Sequence, residues 1–346
     1  MNLTEMVGND QTKTQLIVSG QAAVAENRPV PHTLMGGAAG CGKTTAARGL
    51  AQFLDAVFIQ ADPATLKASD DFVSIIKQLP QEGYGEGGVV TGNIKQAVLF
   101  LDEIHNMPLK GQELLGIAME NWVFPVNVKK KARKEKVMIW LPRFTVVGAT
   151  TMTGGLSKPL RDRFKLQFQF KTYSLDESEF IVVTHAAKMG LDMTQEAAKG
   201  IANRGRGVPR VLVRFLERAR DHARVLTEDG KITKDVVEAM FSFLEIGPTG
   251  LTSQDHRLLE CLYDNKDVPV GLDSLAVILD ECPTTISREL EPYLIRRGLL
   301  MRSSRGRLLT EEGDKYISSI MGKGTKEEVP TNGLENLVLS AGLSDV

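Results

Sequence analysis

A glycine-rich segment, Gly37 to Thr44, constrains this chain more than any other feature of its sequence. It reads GAAGCGKT and fits the pattern GxxxxGK[ST]. A short apolar run precedes it and a run with helical character follows, which is the strand–loop–helix context that the pattern requires. Such a loop turns backbone N–H groups toward an anion, and the next helix points its positive dipole end at the same anion. The segment therefore predicts a nucleotide-binding site.

Each residue type in this loop has an expected task. Lys43 is placed to reach the outer phosphates, and Thr44 is placed to hold Mg²⁺. The glycines allow the tight backbone turns. A glycine-rich turn before a helix, with no ligand, is the competing interpretation. The predicted nucleotide-binding residues of the loop are Gly37, Gly40, Gly42, Lys43, Thr44 and Thr45.

Composition narrows the class of protein. The chain has 346 residues, 42% of them apolar and 25% charged, which is typical of a soluble globular protein with two or three domains. The net charge is −1, so contacts with DNA require local basic patches. The cysteines Cys41, Cys261 and Cys282 are few and far apart, which favours neither a disulfide framework nor a zinc site. With no signal peptide or long apolar run, we expect a cytoplasmic protein without a membrane segment.

The pattern of apolar residues predicts an α/β region followed by helices. Short apolar runs alternate with helical periods up to about residue 170, which favours a parallel sheet covered by helices. Residues 175–245 have helical spacing throughout, and Gly247–Gly250 is a break of the kind that joins domains. Helical patterns and a β-like stretch, 299–310, follow the break. The predicted strands lie near 56–60, 97–101, 144–148 and 166–170.

Two acidic residues follow the apolar run at 97–101. Ligands bind at the carboxyl ends of parallel strands, so we expect Asp102 beside the phosphate loop, where it would support Mg²⁺ with Thr44. Glu103 is placed to orient and polarise the attacking water in phosphoryl transfer. A buried strand followed by a charged turn is the alternative.

Three further residues are candidates for sensing or stabilising phosphate charge. Thr151, with Thr150 close behind, follows another apolar strand and would contact the γ-phosphate or the water. Arg163 lies in the segment PLRDRF, and an arginine can be supplied to a nucleotide by another subunit. Arg210 opens a helix and would report the nucleotide state. Taken singly, each also fits a strand end, a surface salt-bridge cluster or a helix-capping charge.

The ordered set GAAGCGKT, LFLDEIH, LPRFTVVGATT, KPLRDRF and GVPR resembles AAA+ ATPases. In detail it is similar to the RuvB family of bacterial Holliday-junction branch-migration motors. The stretch from Val268 to Thr310 resembles the winged-helix domain of that family. The resemblance implies an AAA+ P-loop domain at 1–172, an all-α lid domain at 173–246 and a winged-helix DNA-binding domain at 251–319. A flexible linker and tail would follow at 320–346.

The resemblance also implies a role for each matching residue. ATP and Mg²⁺ would be held by the phosphate loop with Asp102, while Glu103 would activate water. Thr151 would be sensor 1, Arg210 would be sensor 2, and Arg163 would be the arginine finger acting on a neighbouring subunit's nucleotide. Val7 and Gly8 match the segment that lines the adenine pocket. The family implies a hexameric ring around duplex DNA.

Basic segments are the candidate DNA contacts. The region 123–141 reads as a hairpin whose tip is densely basic, and Lys129, Lys130 and Lys131 would bind phosphates. A solvated tip that prevents edge aggregation is an equal alternative. In the family this hairpin meets the partner RuvA through apolar residues matched here by Val137 and Ile139. The predicted wing contacts with DNA are Arg302, Arg305 and Arg307, against the alternative of a charged hairpin.

The apolar tail at 334–346 would be a docking peptide, unless it folds on its own body or stays disordered. The main prediction is an ATP-driven motor that translocates duplex or junction DNA in recombination and repair. A clamp-loader-like or helicase-loading ATPase is the first alternative. A protein remodeller is the second, and the glycine-rich loop at 82–92 with Tyr84 is the feature that would suit polypeptide threading.

Overall fold

The computed structural model describes residues 3–130, 133–266 and 268–321, with side chains described outside 128–135. The chain divides into two compact units. The first comprises Met1–Glu177 with Val208–Arg210, and the second comprises Ser178–Gly207 with Val211–Val346. Elements are numbered below in chain order across both units.

The first unit is built on a parallel five-stranded sheet. The strand order is β2–β3–β6–β1–β7, so strands that are distant in sequence become neighbours. The predicted strands at 97–101 and 166–170 are confirmed, and those near 56–60 and 144–148 begin one residue later than expected. The sheet strands are β1 (Thr33–Gly37), β2 (Val57–Ala61), β3 (Ala97–Leu101), β6 (Thr145–Thr150) and β7 (Leu166–Phe170).

Helices cover both faces of this sheet, as the apolar pattern predicts. Successive residues of a strand point to opposite faces. In β3, Val98 and Phe100 join a buried cluster with α1 (Asp10–Ala25) and α2 (Lys43–Phe53). The alternate residues Leu99 and Leu101 join a second cluster that includes residues of the helices α3 (Ser69–Ile76), α4 (Leu109–Asn121) and α5 (Lys158–Asp162). A near-continuous apolar strand is thus buried on both sides.

The predicted hairpin is present as β4 (Val123–Lys130) and β5 (Arg133–Trp140), paired antiparallel with Val126 opposite Val137. Its base is anchored in the unit, because Phe124 is buried and Ile139 packs against the same cluster as α3 and α4. Val137 and Met138 remain exposed.

The glycine-rich loop at 82–92 has defined contacts. Tyr84 and Val90 form an antiparallel bridge, and Gly85 N donates to Val89 O at 2.8 Å. The Tyr84 hydroxyl accepts from Arg143 N at 3.0 Å, and its ring lies 6.0 Å from that of Trp140. Tyr84 is therefore engaged with the hairpin.

Four helices follow the sheet in sequence: α6 (Leu175–Lys188), α7 (Gln195–Arg204), α8 (Pro209–Leu226) and α9 (Lys234–Phe243). Thr194 and Thr233 cap α7 and α9 by accepting backbone N–H bonds at 3.3 and 3.4 Å. Within the second unit, the rings of Phe215 and Phe241 meet edge to face at 4.9 Å, which ties α8 to α9.

The rest of the second unit has helices and a short hairpin around one core, as expected for a winged helix. Leu258, Leu275, Leu294 and Ile317 are buried in that core. A π-helical turn, Ile286–Leu290, joins two of the helices. The elements are α10 (Ser253–Asp264), α11 (Leu272–Leu279), α12 (Pro283–Thr285), α13 (Glu291–Arg296), β8 (Leu300–Ser303), β9 (Gly306–Leu309) and α14 (Glu311–Met321).

Within the described ranges, every helix is too short or too polar to cross a membrane. The predicted docking peptide at 334–346 and most of the linker before it lie outside the described residues.

Candidate nucleotide site

The phosphate loop joins β1 to α2 and depends on glycine at two kinds of position. Gly40 and Gly42 have φ of 76° and 93°, in the left-handed region that disfavours other residues. At Gly37, a Cβ atom would come within 2.5 Å of the Phe170 carbonyl oxygen. The loop therefore needs these glycines for its backbone path and for its packing against β7.

Lys43 is the first residue of α2, and its side chain is buried with 6% exposure. Its Nζ donates to Gly37 O at 2.7 Å and to Ala38 O at 2.9 Å. Burial lowers the pKa of Lys43, and the nearby charge of Glu103 acts in the opposite direction. The ammonium is held by neutral carbonyl oxygens, so an incoming phosphate meets a donor that is already positioned.

The two predicted acids lie at the carboxyl end of β3. Asp102 Oδ1 accepts from Glu103 N at 3.0 Å. Glu103 has φ of 47°, a left-handed conformation rare for this residue type and frequent at functional sites. Its Oε2 accepts from both N and Oγ1 of Thr151, each at 3.1 Å. The structure thus brings Glu103 and Thr151 together across two neighbouring strand ends.

His105 belongs to this group, although the sequence analysis did not assign it a role. Its Nδ1 lies 2.9 Å from Thr150 Oγ1 and 3.2 Å from Glu103 Oε2. The signal available in the sequence was its position two residues after Glu103. Its contact with Thr150 depends on the pairing of β3 with β6, which the local pattern does not show.

Thr44 and Asp102 are the residues that could hold Mg²⁺. Among the residues whose side chains are described, no group of three or more His, Cys, Asp or Glu could hold a metal by itself. A hydroxyl and a carboxylate fit Mg²⁺, because this ion usually takes one or two protein ligands and completes its shell with water and substrate phosphates.

Gly8, in the predicted adenine segment, packs on Tyr173. A Cβ atom at Gly8, where φ is 64°, would lie 2.8 Å from the Tyr173 ring and 2.7 Å from Glu177 Oε1. The Tyr173 hydroxyl donates to Cys41 O in the phosphate loop at 3.3 Å, and burial raises the pKa of Tyr173. Tyr173 therefore links the predicted adenine segment to the loop, a role that the sequence did not indicate.

Arg210 lies beside the phosphate loop within the first unit. A Cβ atom at Gly40 would come within 2.9 Å of the Arg210 Cβ, and the charge of Arg210 lowers the pKa of Lys43. The guanidinium side chain is exposed, so it is available to an anion at the loop.

Arg163 lies in a different place, in a cavity of about 540 Å³ shared with His32, Trp122 and Lys165. Its Nε and Nη2 donate to Glu120 Oε2 at 3.1 and 2.5 Å. The cavity is lined by residues that precede β1, β6 and β7, whereas the phosphate loop follows β1. Arg163 is thus at the opposite edge of the sheet from its own phosphate loop.

His32 is one of the residues that line that cavity. Its Nδ1 accepts from Val146 N at 3.0 Å, and its Nε2 lies 3.1 Å from Met119 O, to which it donates as the neutral ring. Burial, with a smaller contribution from the charge of Lys165, lowers the pKa of His32 to about 4.

The predicted DNA contacts on the wing differ from one another. Arg302 and Arg307 both pair with Glu291, whose side chain is fully buried. Arg307 Nε lies 2.8 Å from Glu291 Oε1, and Arg302 Nη2 donates to Ser287 O at 2.9 Å. Arg305 is exposed at the turn between β8 and β9, and its side chain has no hydrogen-bond or ion-pair partner within the described part of the chain. Glu291 is a third residue, after His105 and Tyr173, whose role the sequence did not indicate.

The other candidate DNA contacts, at the hairpin tip, are not described. Lys131 lies outside the described residues, and the side chains of Lys129 and Lys130 lie outside the described side chains. Their proposed role in binding DNA stays a prediction.

The parallel sheet, phosphate loop, acidic strand end and following helical segment define an ATPase of the AAA+ class. Three protein-family models match successive parts of the chain. The Holliday junction DNA helicase RuvB P-loop domain matches residues 1–170, the RuvB AAA lid domain matches 173–247, and the RuvB C-terminal winged helix domain matches 248–318.

Known proteins give the same result. The Holliday junction branch migration complex subunits RuvB of Prochlorococcus marinus strains AS9601 and MIT 9215 are each 35% identical to the chain over 319 residues, covering 92% of this chain and 87% of the relative. A solved structure of the Thermotoga maritima RuvB Holliday junction branch migration motor is similar with a TM-score of 0.75 and 32% identity. It covers 92% of this chain and 97% of that one. The chain belongs to the RuvB family.

Proposed function

We propose that this chain uses ATP hydrolysis at the interfaces of a homo-oligomeric ring to move duplex DNA through Holliday-junction branch migration. The observation that carries the ring proposal is the position of Arg163. The five residues of β1 separate the cavity from the phosphate loop, a span of roughly 16 Å at about 3.3 Å per residue. Arg163 cannot bridge that span, so the phosphate it serves is that of a second copy.

In such an interface, the edge of the sheet that carries the phosphate loop in one copy faces the edge that carries the Arg163 cavity in the next copy. Such head-to-tail contacts generate closed rings when the rotation closes. The family resemblance favours six subunits. To reach a neighbour's phosphate, Arg163 must exchange its bonds with Glu120 for bonds with phosphate oxygens, and its planar fork matches both partners.

The chemistry proposed for the site is attack of water on the γ-phosphorus of ATP, with cleavage of its bond to the bridging oxygen of ADP. Lys43 would neutralise charge on the outer phosphates. Glu103, oriented by Thr151, would position the water and accept its proton. Mg²⁺ held with the help of Thr44 and Asp102 would supply charge neutralisation when bound. Val7, Gly8 and Tyr173 would line the base pocket, and Arg210 would sense the phosphates.

For DNA, Arg305 is the wing residue best supported as a phosphate contact, since it is exposed and unpaired among the described residues. Replacing it with Ala should weaken duplex affinity for all sequences alike and reduce the salt slope by about one. Glu289→Ala, on the same unit, is a charge-changing control that should leave the slope unchanged. A slope that Arg305→Ala does not alter would contradict this contact.

The ring proposal is tested by mixing two inactive variants, Arg163→Ala and Lys43→Ala. With random assembly, about one interface in four should combine an intact loop with an intact finger. ATPase activity should therefore return in the mixture and stay absent in each variant alone. Lys158→Ala, an exposed change on α5 near Arg163, is expected to retain full activity. Absence of recovery in rings verified to be mixed would refute a finger acting between subunits.

Two other functions remain candidates for the same ATPase. A clamp-loader-like or helicase-loading ATPase would share the site but not translocate DNA. A protein remodeller is less well supported, because Tyr84 is bonded to Arg143 N and packed on Trp140. ATPase rates measured with duplex, junction DNA and unfolded protein separate these functions. Stimulation by unfolded protein alone would overturn a DNA motor.

The hairpin at 123–141 is the proposed contact for a RuvA-like partner. Among the described side chains of the hairpin, Val137 is exposed, and Ile139, which lies on the same strand face, is partly buried in its own unit. We therefore assign the contact chiefly to Val137. The cytoplasm is the proposed location, and the tail at 334–346 is kept as a candidate docking peptide.

A further inference from the structure

The break at Gly247–Gly250 is a closed turn. Gly250 N donates to Gly247 O at 2.9 Å, and Gly247 N donates to Leu251 O at 3.0 Å. Gly250 has φ of 76°, and a Cβ atom there would lie 2.9 Å from Arg204 O. This connection between α9 and α10 is therefore packed against the end of α7 instead of extending as a free linker.

One side chain holds the two sides of this joint together. Arg206, between α7 and α8, donates from Nε to Gly250 O at 2.9 Å. Its Nη2 pairs with Asp255 Oδ2 on α10. Its guanidinium carbon lies 4.5 Å from the centre of the Tyr293 ring on α13. Arg206 thus contacts the connection and two helices of the winged-helix segment; we call this set the Arg206 clasp.

Two partners of Arg206, Asp255 and Tyr293, are buried, and each is held by further hydrogen bonds. Asp255 is fully buried, and its Oδ2 also accepts from N and Oγ1 of Thr252, each at 2.7 Å. The Tyr293 hydroxyl donates to Thr249 O at 2.6 Å. A buried carboxylate that loses its cation is left uncompensated, so the arginine cannot leave at low cost. The contacts of Arg206 should therefore persist when this part of the chain moves locally.

The backbone at Arg206 supports this interpretation. Its φ is 56°, a left-handed conformation that persists in a non-glycine residue when surrounding contacts over-determine it. Arg206 also lies four residues before Arg210, which is beside the phosphate loop. The short connection between α7 and α8 thus carries Arg206, and the proposed nucleotide sensor Arg210 lies in the first turn of α8.

We propose that Arg206 is a positioning residue that fastens the winged-helix segment to the lid helices, so that both move as one body when ATP is hydrolysed. The inference rests on the proposed DNA motor, since its purpose is to transmit motion to DNA. Without the clasp, the lid would move while the winged helix lagged behind. Hydrolysis would continue, but less of it would become movement of DNA.

The first test measures ATP consumed per base pair of branch migration by the full chain. Arg206→Ala should keep the DNA-stimulated ATPase rate near that of the unchanged protein while the ATP consumed per base pair rises about fivefold or more. Arg206→Lys should not restore coupling, because Lys lacks the planar fork and ring stacking of Arg. Arg218→Ala, an exposed arginine on α8, is the matched control and should leave the ratio unchanged. An unchanged ratio in folded Arg206→Ala would overturn the proposal.

The second test measures rigidity directly. Spin labels are placed at Cys282, which is exposed on the winged-helix segment, and at Ser242→Cys on α9, with Cys261 replaced by Ser. The distance distribution should be narrow and the same with ADP and with a non-hydrolysable ATP analogue, and Arg206→Ala should broaden it. A distance that changes with nucleotide in the otherwise unchanged protein would overturn the clasp. If that protein moves no DNA, the motor proposal fails while this measurement still decides the clasp.

A milder pair of variants covers the case in which Arg206→Ala does not fold. Tyr293→Leu removes the ring beneath Arg206, and Tyr293→Phe keeps the ring but loses the bond to Thr249 O. Tyr293→Leu should broaden the distance distribution more than Tyr293→Phe. Equal distributions, both as narrow as in the unchanged protein, would count against the clasp.

Discussion

Positive charge is held differently at the phosphate loop and at the wing. Lys43 donates to two neutral carbonyl oxygens, Gly37 O and Ala38 O. Arg302 and Arg307 are paired instead with the fully buried carboxylate of Glu291. A donor on carbonyl oxygens can turn to a phosphate without leaving a charge unpaired, whereas an arginine that leaves Glu291 abandons a buried anion. The loop is thus ready for a ligand, whereas each of these two wing arginines already has a carboxylate partner within the fold.

The largest expected effect is on the rate of ATP hydrolysis at the phosphate-loop site. Glu103→Gln should lower kcat by roughly 1000-fold, because the amide cannot accept a proton from water. Nucleotide affinity and the thermal midpoint should change little. Steady-state ATPase and equilibrium binding of a fluorescent ATP analogue provide the measurements. Glu113→Gln on α4 is the exposed control. A variant that still hydrolyses ATP at near the original rate would remove Glu103 from the chemistry.

The wing should show the reverse pattern, with stability lost and ATPase kept. Glu291→Ala leaves two arginines without their buried partner, which should cost about 3 kcal/mol of unfolding free energy for the winged-helix segment. Basal ATPase of the folded protein should be retained. Denaturant unfolding followed by tyrosine fluorescence checks this. The exposed Glu289→Ala should change stability by less than about 0.5 kcal/mol. If the two variants are equally stable, Glu291 is not structural.

His32 is a further buried basic group, and its ring is held by hydrogen bonds to backbone groups of Val146 and Met119. Burial lowers its pKa in the folded protein to about 4 from 6.5, so the unfolded chain takes up the proton first as pH falls. The stabilisation present above pH 6.5 is lost on acidification, amounting to about 2 kcal/mol by about pH 5. His32→Gln, which cannot titrate, should show a smaller loss over the same range. Parallel stability–pH curves for the two proteins would contradict this account.

The smallest expected effect comes from removing one hydrogen bond between Thr151 and Glu103. Thr151→Val removes one of the two hydrogen bonds to Glu103 Oε2 and leaves the backbone donor. We expect kcat to fall about tenfold, the value of one hydrogen bond to a charged group. Thr151→Ser keeps the hydroxyl and should retain most activity. A rate for Thr151→Val equal to that of Thr151→Ser would mean that the backbone bond suffices.

Site residues that lie within one contiguous motif could be predicted from the sequence. The phosphate loop, Lys43 and Asp102 stand in contiguous motifs. The strand at 97–101 follows from an apolar run, and the strand at 166–170 follows from alternation of apolar and polar residues. Glu103 and Thr151 were each assigned to the phosphate site, but their contact with each other depends on the pairing of β3 with β6, which no single motif contains.

Residues whose partners are distant in sequence were missed. Tyr173 reaches Cys41, Arg206 reaches Asp255 and Tyr293, and Glu291 selects Arg302 and Arg307 over Arg305. In sequence, the three wing arginines are equivalent cations around one glycine turn. In the structure they differ, because Arg302 and Arg307 pair with the buried carboxylate of Glu291, whereas Arg305 is exposed at the turn.

The sequence by itself determined that this chain binds a nucleotide and to which family it belongs, since both depend on ordered short motifs. Only the tertiary structure decided that Arg163 lies at the far edge of the sheet and that Arg206 joins the lid to the winged helix. Strand order and helix packing bring such residues together or hold them apart. That arrangement is a property of the whole core, which no local pattern contains.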